Sequence, residues 1–485
     1  MLVILGFSMI AMFMYLIMSK RITPVAALIL VPTVFGLFAG AGLGLSDMIM
    51  EALLKLAPTA ALLFFAITFF GIMIDVGLFD PLIKLILKFV KNDPMRLVVG
   101  TALLTSIVSL DGDGSTTFII VTSAFLPIYL KLGMSPVILT VVAATANGVL
   151  NTVPWGGSTA RASAALGVSP IDIFVPMIPA IVAGVLANLV LAYLLGRAER
   201  KRLGTLTLDP KSRILNREKV TTSSTDSTGT GAVDPPSSSS TGSDSDSVSG
   251  SAQQTRSNRM VDNDFGDLPE DAASHLHRPK ARPKLVLVNL ALTLAVMTLL
   301  VLDTIEPPVT FLIGVGLALV INFPRVSEQA DQIKAHASSV VSVVALVFAA
   351  SVLTGVFTGT GMVEAMSQWL VDIIPNSFGP HLAIVAGLLS IPLTFFMSND
   401  AFFFGVLPVL AETASHYGIS AEEMARAAIV GQPLHTSSPL VASFLLLIGL
   451  AKVELGVHLR KAIWRASLVC LVMLAVGAAV AAYPG

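Results

Sequence analysis

Charge is scarce in this chain: Asp, Glu, Lys and Arg make up 13% of 485 residues, against 54% hydrophobic side chains. Mean hydropathy is +0.82. Several uncharged runs reach or approach the ~20 residues needed to cross a ~30 Å hydrocarbon core. Cysteine is almost absent. Cys470 stands alone in an apolar run, which excludes an internal disulfide framework and a cysteine-rich metal site. No sign of charge predominates: 30 basic residues against 31 acidic leave a net −1, so bulk charge points to no nucleic-acid partner. Neither HExxH nor GxSxG occurs, and with no such catalytic motif the chain is not expected to be an enzyme.

The apolar runs predict an all-α polytopic membrane protein. In the first half they cover 1–18, 22–46, 56–74, 132–160 and 173–196; in the second, 285–302, 307–324, 335–363, 424–451 and 466–485. The opening stretch, without the basic region and cleavage site of a signal peptide, reads as the first membrane helix. Residues 205–284 are different: "TTSSTDSTGTGAVDPPSSSSTGSDSDSVSGS" has almost nothing to bury and reads as a disordered linker, a tether or a phosphorylated regulatory segment. Basic clusters follow the first run ("SKR"), precede Leu97 ("KFVKNDPMR"), flank the linker ("GRAERKR", "RPK") and precede the last run ("HLRKAIWR"). With all of these cytoplasmic, the N-terminus is outside and the linker inside. Each half then makes five crossings.

The halves also repeat. Pro24-Val25 matches Pro308-Val309 at an offset of 284, as Gly77-Leu78-Phe79-Asp80 matches Gly361-Met362-Val363-Glu364. Gly133-Met134-Ser135 then matches Gly418-Ile419-Ser420, and "NTVP" (Asn151–Pro154) matches "TSSP" (Thr436–Pro439). An odd number of crossings per half predicts two inverted repeats, 1–204 and 285–485. Each carries a re-entrant hairpin (97–130 and 382–411) and a broken helix (135–166 and 424–451). Inverted repeats with interrupted helices are typical of secondary transporters, whose sites lie near the midplane.

The first hairpin turns at "SLDGDGST" and the second at "SNDA". Intramembrane acids are costly, so Asp111, Asp113 and Asp400 are functional candidates. Carboxylates with hydroxyls and carbonyls suit a hard divalent cation such as Mg²⁺ or Ca²⁺. Arg161, beside Ser158 and Thr159, suits bidentate capture of a carboxylate. A cargo that is both metal and carboxylate satisfies both ends. The metal end is assigned to Asp111, Asp113 and Asp400. The substrate contacts are assigned to Ser115, Thr116, Asn147, Asn151, Thr152, Gly156, Gly157, Ser158, Arg161, Ser398, Asn399, Thr436, Ser437 and Ser438. Asp111, Asp113 and His435 are the candidate proton carriers. Blander roles stand beside these: Asp111 or Asp113 as a helix cap, Arg161 snorkelling to the interface, His435 as a hydrogen-bonded break residue, Asp75 and Asp80 as interfacial acids.

"KRITPVAALILVP", "FFGIMIDVGLFDPLI", "DPMRLVVGTALL", "SLDGDGSTTFI" and "VPWGGSTARASAALG" resemble the citrate–divalent metal:proton symporters (CitMHS) of the ion-transporter superfamily, over nearly the whole chain outside the linker. The resemblance implies proton-driven uptake, across a bacterial inner membrane, of citrate or a related tricarboxylate complexed with a divalent metal. It also implies a homodimer with an elevator motion and no permanently bound cofactor. Related dicarboxylate/sodium symporters carry Ser-Asn-Thr at both tips. The acidic first tip departs from that pattern and fits a metal-bearing cargo. A proton- or sodium-coupled symporter of another organic anion is the alternative, ahead of an ion channel or membrane sensor.

Overall fold

The computed structural model describes residues 1–90, 93–112, 114–203, 280–302, 304–375 and 377–485, and among these every regular element is a helix. Contacts divide the chain into Met1–Thr205 with Asp271–Gly485, and a second unit, Leu206–Glu270, outside the described residues. Nearly all of the expected linker, 205–284, falls outside them too.

The first half runs α1 (Leu2–Met18), α2 (Pro24–Phe38), α3 (Leu45–Asp75), α4 (Asp80–Val90), α5 (Pro94–Val108), α6 (Gly114–Lys131), α7 (Pro136–Leu150), α8 (Gly157–Leu166) and α9 (Pro170–Leu203). The second runs α10 (Val286–Leu302), α11 (Pro307–Asn322), α12 (Val326–Gly359), α13 (Met362–Ile373), α14 (Leu382–Phe396), α15 (Ala401–Ser415), α16 (Ala421–Ala428), the single turn α17 (Gln432–His435), α18 (Ala442–Leu450) and α19 (Leu455–Ala479). Proline opens α2, α5, α7, α9 and α11. At that position it forgoes only an N–H that a helix leaves unpaired, and its fixed φ suits the first turn. Thr23 and Asp93 cap α2 and α5 by accepting from the N–H groups of Ala26 and Met95.

Seven described helices are long and apolar enough to cross a membrane. Several outrun their apolar stretches. The structure starts α12 at Val326 rather than 335 and α19 at Leu455 rather than 466, and it ends α2 at Phe38 rather than 46. Hydropathy marks the greasy middle of a helix, whereas backbone hydrogen bonding carries it on through polar turns. At 1.5 Å per residue, the 31 residues of α3 and 34 of α12 span about 46–51 Å, well beyond the ~30 Å core.

Two amphipathic helices, α4 and α13, follow the matched glycines Gly77 and Gly361, and both glycines are left-handed, at φ +81° and +74°. Gly133 and Gly418, the other matched pair, are at +67° and +79°. The recurrence in sequence therefore has a backbone cause: these turns need a conformation that other residues adopt at a cost.

The long helices α3 and α12 pack antiparallel. A Cβ on Gly355 would lie 2.5 Å from the Met48 carbonyl oxygen, near the start of α3 and the end of α12. At the opposite end, Asp75 accepts hydrogen bonds from Gln332 and His336, with His336 Nε2 3.2 Å away. Lys280 donates to Gln332 Oε1 at 2.8 Å, and Arg282 donates to the Asn322 carbonyl at 3.0 Å. Asp75 therefore sits in a polar cluster between helices. The chain returning from the linker is fastened beside it.

Candidate functional site

Two interrupted helices meet face to face. α7 stops at Leu150 and restarts as α8 at Gly157; α17 stops at His435 and α18 begins at Ala442. Their approach is close because Gly148 has no side chain. A Cβ there would lie 2.6 Å from the Gln432 carbonyl oxygen and from Pro433 Cα. Thr436 reaches across and donates to the Ala144 carbonyl at 2.8 Å.

The first break is held by its own polar residues. Asn151 Oδ1 accepts from the Gly157 N–H at 2.9 Å, capping α8. Ser158 donates to the Asn151 carbonyl at 2.8 Å, and Thr152 donates to the Val149 carbonyl at 2.6 Å. Gly156 passes so near the Asn151 carbonyl that a Cβ would collide with it. These hydroxyls satisfy backbone groups freed by the break, as buried polar groups must be satisfied.

Both hairpin tips reach this crossing. Between α5 and α6, the Leu110 carbonyl accepts from Trp155 Nε1 at 2.7 Å, and Ser109 Oγ accepts from Asn147 Nδ2 at 3.0 Å. Trp155 is stacked on Phe70 at 4.5 Å, with Phe311 edge-on at 5.3 Å. The backbone of Asp111 closes a 3₁₀ turn. Its side chain and all of Asp113 lie outside the described residues, so the expectations placed on them are not reached. Ser115 and Thr116 occupy the first turn of α6.

The second tip, between α14 and α15, carries the charge. Arg161 Nε donates to Asp400 Oδ1 at 2.6 Å, and Arg161 Nη1 donates to the Gly157 carbonyl at 2.8 Å. The guanidinium thus turns inward to a carboxylate of the other half rather than snorkelling. Asn399 exchanges hydrogen bonds with Gln432 at 3.1 and 3.2 Å, and Gln432 Oε1 also accepts from Asn151 Nδ2 at 3.4 Å.

These groups surround a cavity of about 370 Å³. Of the expected residues, Asn147, Asn151, Gly157, Arg161, Ser398, Asn399, Asp400, His435 and Thr436 line it. Thr152, Gly156 and Ser158 stand behind the wall. The hydroxyls of Ser437 and Ser438 turn to His458 Nε2 at 3.3 Å and to the Phe395 carbonyl at 2.7 Å. The sequence reading missed Gly114 and Ser443 on the wall, and Gln432, which bridges both halves and is fully buried. An amide in "AAIVGQPLH" was the available signal for Gln432.

His435 Nδ1 lies 2.6 Å from the Thr394 carbonyl oxygen. A carbonyl only accepts, so Nδ1 carries the proton, and Nε2 is left to accept when the ring is neutral and to donate when it is charged. The cavity therefore offers a fork-shaped cation, a carboxylate, amides and one titratable ring. That set can hold a polar anion and a cation together.

Long apolar helices enclosing such a polar crossing define a multi-pass membrane protein, and the comparisons make it a transporter rather than an enzyme. The chain belongs to the citrate transporter family, CitMHS, whose model matches residues 4–431. It is 45% identical over 458 residues to the "Citrate transporter" of Bacillus subtilis, covering 94% of each chain. It is 43% identical over 477 residues to the "Mg(2+)/citrate complex secondary transporter" of the same organism, covering 98% of each. Among solved structures it is distantly similar to the YdaH transporter of Alcanivorax borkumensis, at 13% identity and a TM-score of 0.43, covering 89% of this chain and 86% of that one.

Proposed function

We infer that this protein takes up citrate complexed with a divalent metal of the Mg²⁺ or Ca²⁺ type, by proton-coupled symport. The observation that carries the reading is the Arg161–Asp400 pair on the cavity wall. A carboxylate entering alone would take Arg161 and strand Asp400 as an uncompensated, largely buried charge, which is strongly unfavourable. A metal–citrate complex brings a partner for each, carboxylate to Arg161 and metal to Asp400. Citrate carries about three negative charges at neutral pH, so the complex with one Mg²⁺ carries about one, which lowers the cost of a low-dielectric path. Asp111 and Asp113 would add to the metal end. The relative named for a Mg²⁺/citrate complex agrees with this cargo.

Proton coupling is assigned to His435 Nε2 with Asp111 and Asp113. Protonation turns Nε2 from an acceptor into a donor for a citrate carboxylate. The antiparallel packing of α3 on α12 and the meeting of the two breaks support two inverted repeats, with an elevator motion of the hairpins and broken helices within a homodimer. Basic loops support a cytoplasmic linker and an outside N-terminus.

The test is radiolabelled citrate uptake into proteoliposomes, with metals varied singly. Uptake should require Mg²⁺ or Ca²⁺, rise with an inward proton gradient and collapse with a protonophore. Sodium-dependent uptake of free citrate or a dicarboxylate, indifferent to protons, overturns the reading.

A further inference from the structure

A second polar space lies at the far end of α8 from the cavity. Lys55, near the start of α3, lines two adjoining cavities of about 280 and 180 Å³. The larger is walled by α3, the end of α8, α12, α15 and the loop before α16, and it also holds Glu412 and Thr358. The smaller holds Thr59, Ser169 and Glu306. The loops bordering these spaces, around Gly167, Glu306 and Gly418, are those that the charge distribution puts outside.

Lys55 makes no hydrogen bond or ion pair among the described residues, and its ammonium rests against Gly167. A Cβ at Gly167 would lie 3.0 Å from Nζ, and the glycine is left-handed at φ +65°. Two of the nearby hydroxyls have carbonyl partners. Ser415 donates to the Glu412 carbonyl, and Thr354 leans on the Ala164 carbonyl at 3.4 Å. Among the described residues, the one cation on the lining of the larger cavity is the Lys55 ammonium, and Glu412 lines the same cavity.

We propose that the space around Lys55 and Glu412 is an outer docking site for a metal–polycarboxylate complex, occupied before transfer to the Arg161–Asp400 cavity. It rests on the cargo and orientation assigned above. The two sites share one logic, a cation for the carboxylates and an acid for the metal, but they differ in depth. Arg161 and Asp400 are paired and largely enclosed, whereas Lys55 is exposed and unpaired. An exposed, unpaired charge attracts oppositely charged cargo from a distance, and salt screens that attraction. Lys55 also stands at the negative end of the α8 dipole, a favourable place for a cation without any ligand. The test must separate the two roles.

Binding of labelled citrate with Mg²⁺ is measured on purified full-length protein, beside uptake kinetics. Removing both members of the inner pair, Arg161→Gln with Asp400→Asn, strands no lone charge. That variant should lose transport and keep weak Mg²⁺–citrate binding, which adding Lys55→Gln abolishes. Lys55→Gln alone should raise KM roughly tenfold, the scale of one charge-assisted hydrogen bond, leave Vmax within about twofold, and flatten the dependence of KM on ionic strength. Lys55→Arg should restore all three. A dipole-capping role predicts unchanged KM and salt dependence, and that result overturns the proposal. So does residual binding that ignores Lys55, or a Lys55→Gln effect that vanishes without anionic lipid, which would assign the ammonium to a lipid phosphate. If the native protein fails to bind Mg²⁺–citrate, the cargo assignment falls with it. If the native protein binds and the inner-pair variant shows no residual binding, only the outer site falls.

Discussion

Two carboxylate–cation clusters can be set side by side. At the α3–α12 crossing, Asp75 is met by Gln332 and His336, and Lys280 closes the cluster through Gln332. At the meeting of the breaks, Asp400 is met by Arg161, and open space lies beside them. The residue types are alike, and both acids stand out in an apolar text. What separates them is saturation. The first cluster spends its hydrogen bonds on joining two helices. The second keeps capacity on both partners where a ligand can reach. An acid in a membrane helix therefore identifies a site only together with the cavity it faces.

That contrast is testable, beginning with its largest consequence. Arg161→Gln or Asp400→Asn alone should reduce metal–citrate uptake at least a hundredfold, since breaking a buried pair costs about 3–5 kcal/mol and also removes a ligand contact. Arg161→Lys should lose roughly tenfold, because an ammonium cannot make the forked pair. Wild-type kinetics in either neutralised variant would remove the pair from the site. Next comes Gln432→Leu, which leaves the amides of Asn151 and Asn399 without their bridge. It should raise KM at least roughly tenfold, with Gln432→Glu recovering part of the loss, the scale set by losing three hydrogen bonds of about 0.5–1.5 kcal/mol each. A change confined to Vmax would make Gln432 a hinge rather than a positioning residue.

At the other cluster, Asp75→Asn should lower the melting temperature by a few degrees, in keeping with about 1.5–3 kcal/mol for hydrogen bonds to a charged group, and leave KM alone. A KM shift equal to that of Gln432→Leu would erase the distinction drawn here. The smallest effect belongs to the linker. Deleting Thr221–Gln253 should leave uptake within about twofold, as expected of a compositional tether. Loss of uptake in a correctly inserted variant would give the segment a further role.

Much of this was legible along the chain. Uncharged runs coincide with five of the seven long apolar helices among the described residues, the other two lying in the expected hairpins, and the polar strings "SND" and "NTVP" marked where helices stop, because intramembrane polar groups need partners. Arg161 and Asp400 were visible as candidates, but not as a pair, since 239 residues separate them. Sequence spacing carries no information about a contact made across two repeats. The hydroxyls have a second duty that spacing does not show: those of Ser158 and Thr152 each donate to a backbone carbonyl at their own break. Asp75 read as an interfacial acid because its partners Gln332 and His336 arrive from the other half. Helices α4 and α13 were missed because their amphipathic stretches are too short and too charged to register as apolar runs.

Trp155 has one further consequence. The chain has three tryptophans. Trp369 and Trp464 are 46% and 55% exposed, whereas Trp155 is 2% exposed and bonded to the backbone of the first hairpin tip. Indole emission shifts to the red as water reaches the ring. With Trp369 and Trp464 replaced by phenylalanine, the remaining fluorophore is a native optical gauge of the contact between tip and break. Stopped-flow emission could then time the parting of tip from break in unlabelled protein, separately from the appearance of cargo on the far side.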